Sequence, residues 1–308
     1  MTTPFPTDPV LTAIAIAYRN GRLIADDVLP RTPVGRQDFK WHQHHLADGF
    51  TLPDTKVGRK SAPNQVEFGH IEKTSSTEDY GLDAPVPQAD IDAAAGTATD
   101  PLGMATQNTT DLILLDREVR TSQLVFNAAS YAASNIETAS ASDKWSNPAS
   151  KPLNAITDAL DQVIMRPNIG ILGRAVSTAL RRHPQIVKAY HGNSGDDGLV
   201  PLGFLAELFE LDDIHVGEAR LNIARPGQNV TLQRVWGPHA AFIYRDRTAG
   251  AQSGATFGLT AQWGGRIAGQ VYDKDIGLRG GIRVRVGESV KELITAPDLG
   301  FYFPDVIG

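Results

Sequence analysis

Residues 100–129 read DPLGMATQNTTDLILLDREVRTSQLVFNAA, and this stretch decides the architecture. Asp100 followed by Pro101 is a helix start, because the carboxylate can accept from free backbone N–H groups while proline at the first helical position has no N–H to lose. Leu112, Leu115, Val119 and Phe126 fall at helical spacings and predict one apolar stripe, with Asp111, Asp116, Glu118 and Arg120 mostly off it. At ~1.5 Å per residue a helix to about Ala129 spans roughly 40 Å, more than twice the usual length. It reads as a spine on which other parts are hung.

Working outward toward the N-terminus, residues 37–90 change character. Phe39-Lys40-Trp41-His42 and Val66-Glu67-Phe68 are short β-prone runs, joined by a polar connection from Asp48 to Gln65. That connection carries Asp54, Lys56, Arg59 and Lys60 and almost no large apolar residue, so it is expected to project into water or toward a partner. A structureless connection of this length usually has a function. Ahead of it, residues 1–36 hold one helical stretch, Leu11 to Tyr18, between Pro4, Pro6 and Pro9 on one side and Pro30 and Pro33 on the other. Such a segment cannot bury a core by itself and must lie on something else, a second subunit being one candidate.

Toward the C-terminus, residues 130–150 are rich in Ala, Ser and Asn and read as a boundary loop. A compact α/β unit follows. Leu153, Ile156, Leu160 and Val163 mark a helix face, Asn168 to Leu172 a buried strand, and Ala175 to Arg182 a helix stopping before Pro184. Leu202, Leu205, Leu208 and Phe209 mark a further helix; His215 to Ile223 and Ala240 to Tyr244 read as strands. In the last stretch Phe257, Leu259, Ala261 and Trp263 alternate with polar or small residues, and Ile282, Val284 and Val286 alternate with Arg283 and Arg285, which predicts half-buried strands.

Composition narrows the function classes. At 308 residues, about two folding units are expected. Apolar residues at 41% and charged residues at 21% describe a chain that folds. Lys and Arg number 29 against 35 Asp and Glu, a net charge of −6, so no broad basic field for wrapping nucleic acid exists. There are no cysteines, which excludes disulfides, thiolate metal sites and a cysteine nucleophile. No window is apolar enough for a membrane span or export signal.

Candidate chemistry is sparse. His42 and His44 would share one face of a strand and could hold Zn²⁺ if a third ligand arrived, but His45 points the other way and no carboxylate cluster supports them; the run reads as a solvated or interface strand. The segment His191 to Gly198 resembles a serine-hydrolase loop only superficially, since Gly195 follows Ser194 directly, and its composition is that of a turn. The doublets Asp196-Asp197 and Asp212-Asp213 lack the spacing of a calcium loop. Gly277 to Gly281 leads into a strand where a nucleotide loop needs a helix. Arg181-Arg182-His183 most simply complements a helix C-terminus. No catalytic, cofactor or metal constellation is assembled, and a non-enzyme is expected.

The order of parts, with Ala25-Asp26-Asp27-Val28-Leu29-Pro30, Val34-Gly35-Arg36, Ser76-Thr77-Glu78-Asp79-Tyr80-Gly81-Leu82, Asp100-Pro101 and Val286-Gly287-Glu288-Ser289-Val290-Lys291-Glu292-Leu293, resembles major capsid proteins of tailed bacteriophages over nearly the whole chain. The resemblance implies an α+β, Hong Kong 97-like capsid fold: an N-terminal arm (1–36), an E-loop hairpin (37–90), a P-domain with the long spine helix (91–136), an α/β A-domain (137–250), and C-terminal strands completing the P-domain (251–308). It implies a head protein that self-assembles into the icosahedral shell around double-stranded DNA. Expected partners are copies of itself in hexamers and pentamers, a portal protein, a separate scaffolding protein, a decoration protein, and DNA held by non-specific contact. The expected location is the virion, after assembly in the host bacterial cytoplasm, with no membrane.

No long helical segment precedes the arm, hence the separate scaffold, and no Lys–Asn cross-link at Lys56, Lys60 or Lys73 is expected. Phe39, Trp41 and Phe68 are expected to anchor the hairpin, and Lys56, Arg59 and Lys60 to pair with acids on an adjacent subunit, all six as inter-subunit contacts. Each 1,000 Å² of apolar area buried between copies is worth ~25 kcal/mol before ordering costs. The alternative from the same fold is an encapsulin-like compartment enclosing cargo enzymes; the enzymatic alternative is a metal-dependent hydrolase using His42 and His44.

Overall fold

The computed structural model of the chain describes residues 6–44, 52–65, 70–192, 195, 197–225 and 227–308. In chain order, the arm contributes helix α1 (Pro9–Ala17), the short helix α2 (Ala25–Val28) and strand β1 (Arg31–Val34). Strands β2 (Asp38–His44) and β3 (His70–Ser76) pair antiparallel as the projecting hairpin. The expected return strand at Val66 to Phe68 lies outside the described residues; the segment pairing with β2 is β3. Next come β4 (Glu78–Pro87), α3 (Gln88–Ala94) and the spine, α4 (Pro101–Val125).

The α/β unit holds helices α5 (Pro152–Gln162), α6 (Arg174–Arg182), α7 (Pro184–His191) and α8 (Leu202–Leu208) and strands β5 (Ile169–Gly173), β6 (Asp213–Gly217), β7 (Arg220–Asn222), β8 (Leu232–Arg234) and β9 (Ala240–Ile243). The long strands β10 (Gly258–Asp273) and β11 (Gly281–Ile294) and the short β12 (Gly300–Phe303) close the chain. Two four-stranded sheets result, ordered β1-β10-β11-β4 and β12-β9-β5-β6. The stretch Glu78–Pro87 is thus a strand of the first sheet, antiparallel to β11, and β12 leaves the first sheet to pair with β9 in the second. The run expected as one strand from His215 to Ile223 is two, in different sheets.

The arm lies on its own chain. Asp8 caps α1 by accepting from the Val10 and Leu11 N–H groups, its own N–H donates to the Ala268 carbonyl at 3.0 Å, and the Thr12 hydroxyl reaches the same carbonyl at 2.9 Å. Leu11 and Ala15 are buried with Ile113, Ala268, Val284 and Val286. The need for outside support that the sequence implies is met by the first sheet and the spine, so no second subunit is required to order this helix.

The spine does what Asp100 predicts at its start, where the carboxylate accepts from the Leu102 N–H at 3.2 Å. It ends four residues before Ala129, because the Ser130 and Tyr131 hydroxyls donate to the Leu124 and Val125 carbonyls at 2.6 and 2.8 Å and replace further helical bonds. The buried face is not the expected one. Leu112 is exposed, and Leu115, Val119 and Phe126 are only partly covered. The covered face instead carries Thr106, Thr109, Thr110, Ile113, Leu114, Arg117, Glu118, Thr121, Ser122 and Val125.

Most of these polar residues can sit inside because they find partners, the buried Thr121 hydroxyl being an exception. Three threonine hydroxyls return to carbonyls one turn back, Thr106 to Leu102, Thr109 to Ala105 and Thr110 to Thr106, at 2.7–2.8 Å. Glu118 accepts from the Ile24 N–H at 3.0 Å, the Ala25 N–H at 2.8 Å and the Trp236 indole N–H at 2.6 Å. Arg117 donates to Asp26, to the Leu29 carbonyl at 3.1 Å and to the Thr260 hydroxyl at 2.9 Å. Two adjacent residues therefore tie the arm, the first sheet and the α/β unit to one helix.

Glu118→Ala leaves two backbone donors and an indole N–H buried without their acceptor, and is expected to cost about 3–5 kcal/mol. Leu112→Ala, on the exposed face, should stay within about 0.5 kcal/mol. Urea denaturation of the soluble, unassembled chain reads both; equal losses would contradict this assignment of the buried face.

Candidate assembly interface

The root of the hairpin is built from aromatic residues on alternate positions. Phe39 and Trp41 point to one face of β2 and are buried with Leu259 and Ala261 of β10, flanked by Val34, Ala251 and Leu293. The Lys73 ammonium sits 5.5 Å from the Trp41 ring centroid, and the Lys40 ammonium meets Glu72 at 2.6 Å. The His42 N–H donates to the Ala251 carbonyl at 2.9 Å. Phe39 and Trp41 thus bury apolar surface inside the chain, rooting the hairpin on the subunit's own first sheet. Phe68 lies outside the described residues.

A charge network braces the sheet beside this root. Glu288 on β11 is fully buried and takes Arg31 of β1 at 2.9 Å and Arg266 of β10 at 3.0 Å. Arg266 also donates to the Ala15 carbonyl at 2.7 Å, and Arg31 reaches Asp26 at 2.7 Å. Burial alone would raise both carboxyls, but Arg31 and Arg266 around Glu288, and Arg117 and Arg31 beside Asp26, hold them below their ordinary values. Glu118 goes the other way: burial pushes it up, and its N–H donors and Arg117 only partly offset that.

Beyond the root, residues 52–65 are exposed throughout. Lys56, Arg59 and Lys60 stand in water, and among the described residues none of them has an ion-pair partner. The local bonds are few: the Lys56 N–H and the Asn64 amide both donate to Asp54, each at 2.9 Å. Two apolar residues that a polar reading of this loop passes over are also bare, Leu52 at 89% and Val57 at 48% exposure. Their signal was there in the residue types, isolated apolar side chains in a loop with nothing of its own to pack on.

The other sequence candidates do structural work. The His183 ring accepts from the Gln185 N–H at 3.2 Å as the cap of α7 and lies 3.2 Å from the Ser150 hydroxyl. Arg181 donates to the Val200 carbonyl at 2.6 Å. Asp212 accepts from the Asn168 amide at 3.1 Å, and Asp213 lies 3.8 Å from His215. Gly277 and Gly280, both in the left-handed region, turn the chain between β10 and β11. Asn193, Ser194 and Asp196 lie outside the described residues, as does His45. Among the described residues no cluster of three metal-ligating side chains exists, and no helix is long and apolar enough to cross a membrane.

Comparison with known proteins adds independent information. The family described as Phage major capsid protein E matches residues 125–261. The chain is 68% identical over 304 residues to the major capsid protein of Pseudomonas phage JBD67, covering 99% of this chain and 98% of that one. Its fold is that of a phage-related protein from Bordetella bronchiseptica, solved by crystallography, with a TM-score of 0.79, 23% identity and 99% of each chain covered. The capsid protein of Cyanophage P-SCSP1u shares the fold at a TM-score of 0.57 and 9% identity, over 99% of this chain and 90% of that one.

Because Glu288 and Asp26 bind fewer protons folded than unfolded, the stability they contribute is complete above the ordinary carboxylate range and is lost as pH falls through their folded pKa values. The denaturation midpoint should therefore fall between about pH 5 and about pH 2, and Glu288→Gln should make that fall shallower; an unchanged pH slope would count against the network. Trp41→Ala should destabilise the unassembled chain by about 3–5 kcal/mol in urea, as loss of a core aromatic does. A variant as stable as the parent would place Trp41 outside the core.

Proposed function

Since this chain belongs to the phage major capsid proteins, we propose that it closes an icosahedral shell around the double-stranded DNA of a tailed phage by laying its hairpin loop on the next subunit. The observation that carries the proposal is the contrast along the hairpin: a root buried on the subunit's own sheet, and an outer segment, 52–65, with every residue exposed. Lys56, Arg59 and Lys60 have no acid within their own chain among the described residues, while the chain as a whole carries a net charge of −6. An adjacent copy therefore offers the counter-charge, and Leu52 and Val57 supply apolar area to bury with it. Any inter-subunit role for Phe39, Trp41 and Phe68 stays within this proposal.

The same reading divides the chain into arm, E-loop, P-domain and A-domain, and groups copies into hexamers and pentamers. A portal, a scaffolding protein, a decoration protein and non-specifically held DNA are the further partners it implies, with assembly in the host bacterial cytoplasm. Capsid proteins act in the virion, and a structural protein needs no catalytic constellation. The compartment-shell alternative is not better supported, since the relative at 68% identity is a viral capsid protein.

Deleting residues 50–64 should leave a folded chain that no longer forms shells or forms them poorly, because the root cluster is retained while the outward contacts are removed. Circular dichroism reads the fold and electron microscopy the particles; intact shells from the deletion would refute the role given to the loop.

A further inference from the structure

The turn that joins α1 to α2 carries a chemistry that assembly does not use. Asn20-Gly21 is the only Asn-Gly step in the sequence, and it opens a tight turn in which the Leu23 N–H donates to the Asn20 carbonyl at 3.0 Å. The Asn20 side chain is held at both ends. Its Oδ1 accepts from the Arg22 N–H at 3.1 Å, and its Nδ2 donates to Asp111 Oδ1 on α4 at 2.7 Å. Asp111 also faces the hydroxyl of Tyr18, the residue that ends α1, whose pKa burial and that carboxylate together raise. One carboxylate of the spine therefore meets both the end of α1 and the turn after it.

Three features of the turn favour attack of the Gly21 nitrogen on the Asn20 side-chain carbon. Gly21 is exposed, and among the described residues its N–H has no acceptor. The Arg22 N–H already lies on Oδ1, where negative charge grows as the carbonyl is attacked. Glycine brings no Cβ to hinder ring closure, and packing does not demand it here, since a Cβ built at Gly21 meets nothing within 4 Å. Water reaches the turn, because Asn20 and Gly21 also line a cavity of about 800 Å³ between the arm, the spine and the first sheet.

We propose that Asn20 is a self-modifying site, a slow clock that turns its amide into an acid and loosens the arm from the spine. The Gly21 N–H gives its proton to hydroxide. The bond from that nitrogen to Cγ forms, the Cγ–Nδ2 bond breaks, and the amide nitrogen leaves as ammonia after taking a proton back from water. A water molecule then opens the five-membered imide, at Cγ to give aspartate or at the Asn20 backbone carbon to give isoaspartate. Nothing is oxidised or reduced. Aspartate places a second carboxylate where a donor had met Asp111, and like charges at hydrogen-bond distance repel. Isoaspartate adds one atom to the backbone just ahead of Ile24 and Ala25, whose N–H groups must reach Glu118. Either product acts on the joint that holds the arm, within a single chain and independently of any shell.

The purified, unassembled chain is aged in mildly alkaline buffer, digested with chymotrypsin and mapped by mass spectrometry, with isoaspartate read by enzymatic methylation. Asn20 should convert ahead of the other asparagines, and Gly21→Ala should slow that conversion by an order of magnitude with the fold unchanged. An Asn20 still intact when other asparagines have converted would overturn the proposal. Asn20→Asp, made outright, should lower the urea midpoint and speed tryptic cleavage after Arg19 or Arg22, both exposed. Asn20→Ser, which loses the amide without adding charge, should lose less, and Asp111→Asn combined with Asn20→Asp should recover both readouts. An Asn20→Asp chain as stable and as resistant to trypsin as the parent, or a loss no greater than that of Asn20→Ser, would sink the loosening of the arm.

Discussion

Two neighbouring charges on the spine, Arg117 and Glu118, carry the constraint on which the rest of the subunit depends. Both side chains are buried, and a buried ionised group is costly unless it is paired and hydrogen-bonded. Those partners come from residues distant in sequence: Ile24 and Ala25 of the arm and Trp236 of the α/β unit for Glu118, and Asp26, Leu29 and Thr260 for Arg117. Moving the arm or the α/β unit along the helix would strip hydrogen bonds from a charge that water does not reach. Apolar packing alone penalises such a slide weakly, because one aliphatic contact substitutes for another; hydrogen-bond geometry does not.

The same logic separates the part of the hairpin that packs on its own chain from the part that stays exposed. Phe39 and Trp41 are covered by Leu259 and Ala261, and the sheet beneath them is braced by Glu288 between Arg31 and Arg266. The loop from residue 52 to 65 has no comparable support. A lever with a fixed root and an uncommitted end suits a shell, in which one subunit type must meet neighbours at slightly different angles.

Part of the fold was legible in local sequence signals. Asp100-Pro101 located the spine's start, and the alternations at Leu259 and Ala261 and at Val284 and Val286 located buried positions of the first sheet. Ile156 and Leu160 marked the inner face of α5. What misled was the spine's stripe: Leu112, Leu115, Val119 and Phe126 satisfy helical periodicity as well as the true face does, and Thr106, Thr110, Arg117, Glu118 and Thr121 do not look like core residues. That Phe39 and Trp41 pack on Leu259 and Ala261 is not legible locally, because β-prone runs beside a long loop do not reveal the sheet they fold back on.

By itself, then, the sequence determined the order and type of most elements, the polar exposed loop and the family resemblance. These follow from local spacing, from proline and aspartate at a helix start, and from residue types that are present or missing. Tertiary structure alone decided which face of the spine is buried, that α1 lies on its own chain, and where Phe39 and Trp41 spend their surface. Each of those outcomes depends on partners more than 80 residues away in the chain: whether a charge or an aromatic ring is buried is settled by what meets it in space, and periodicity carries no information about that.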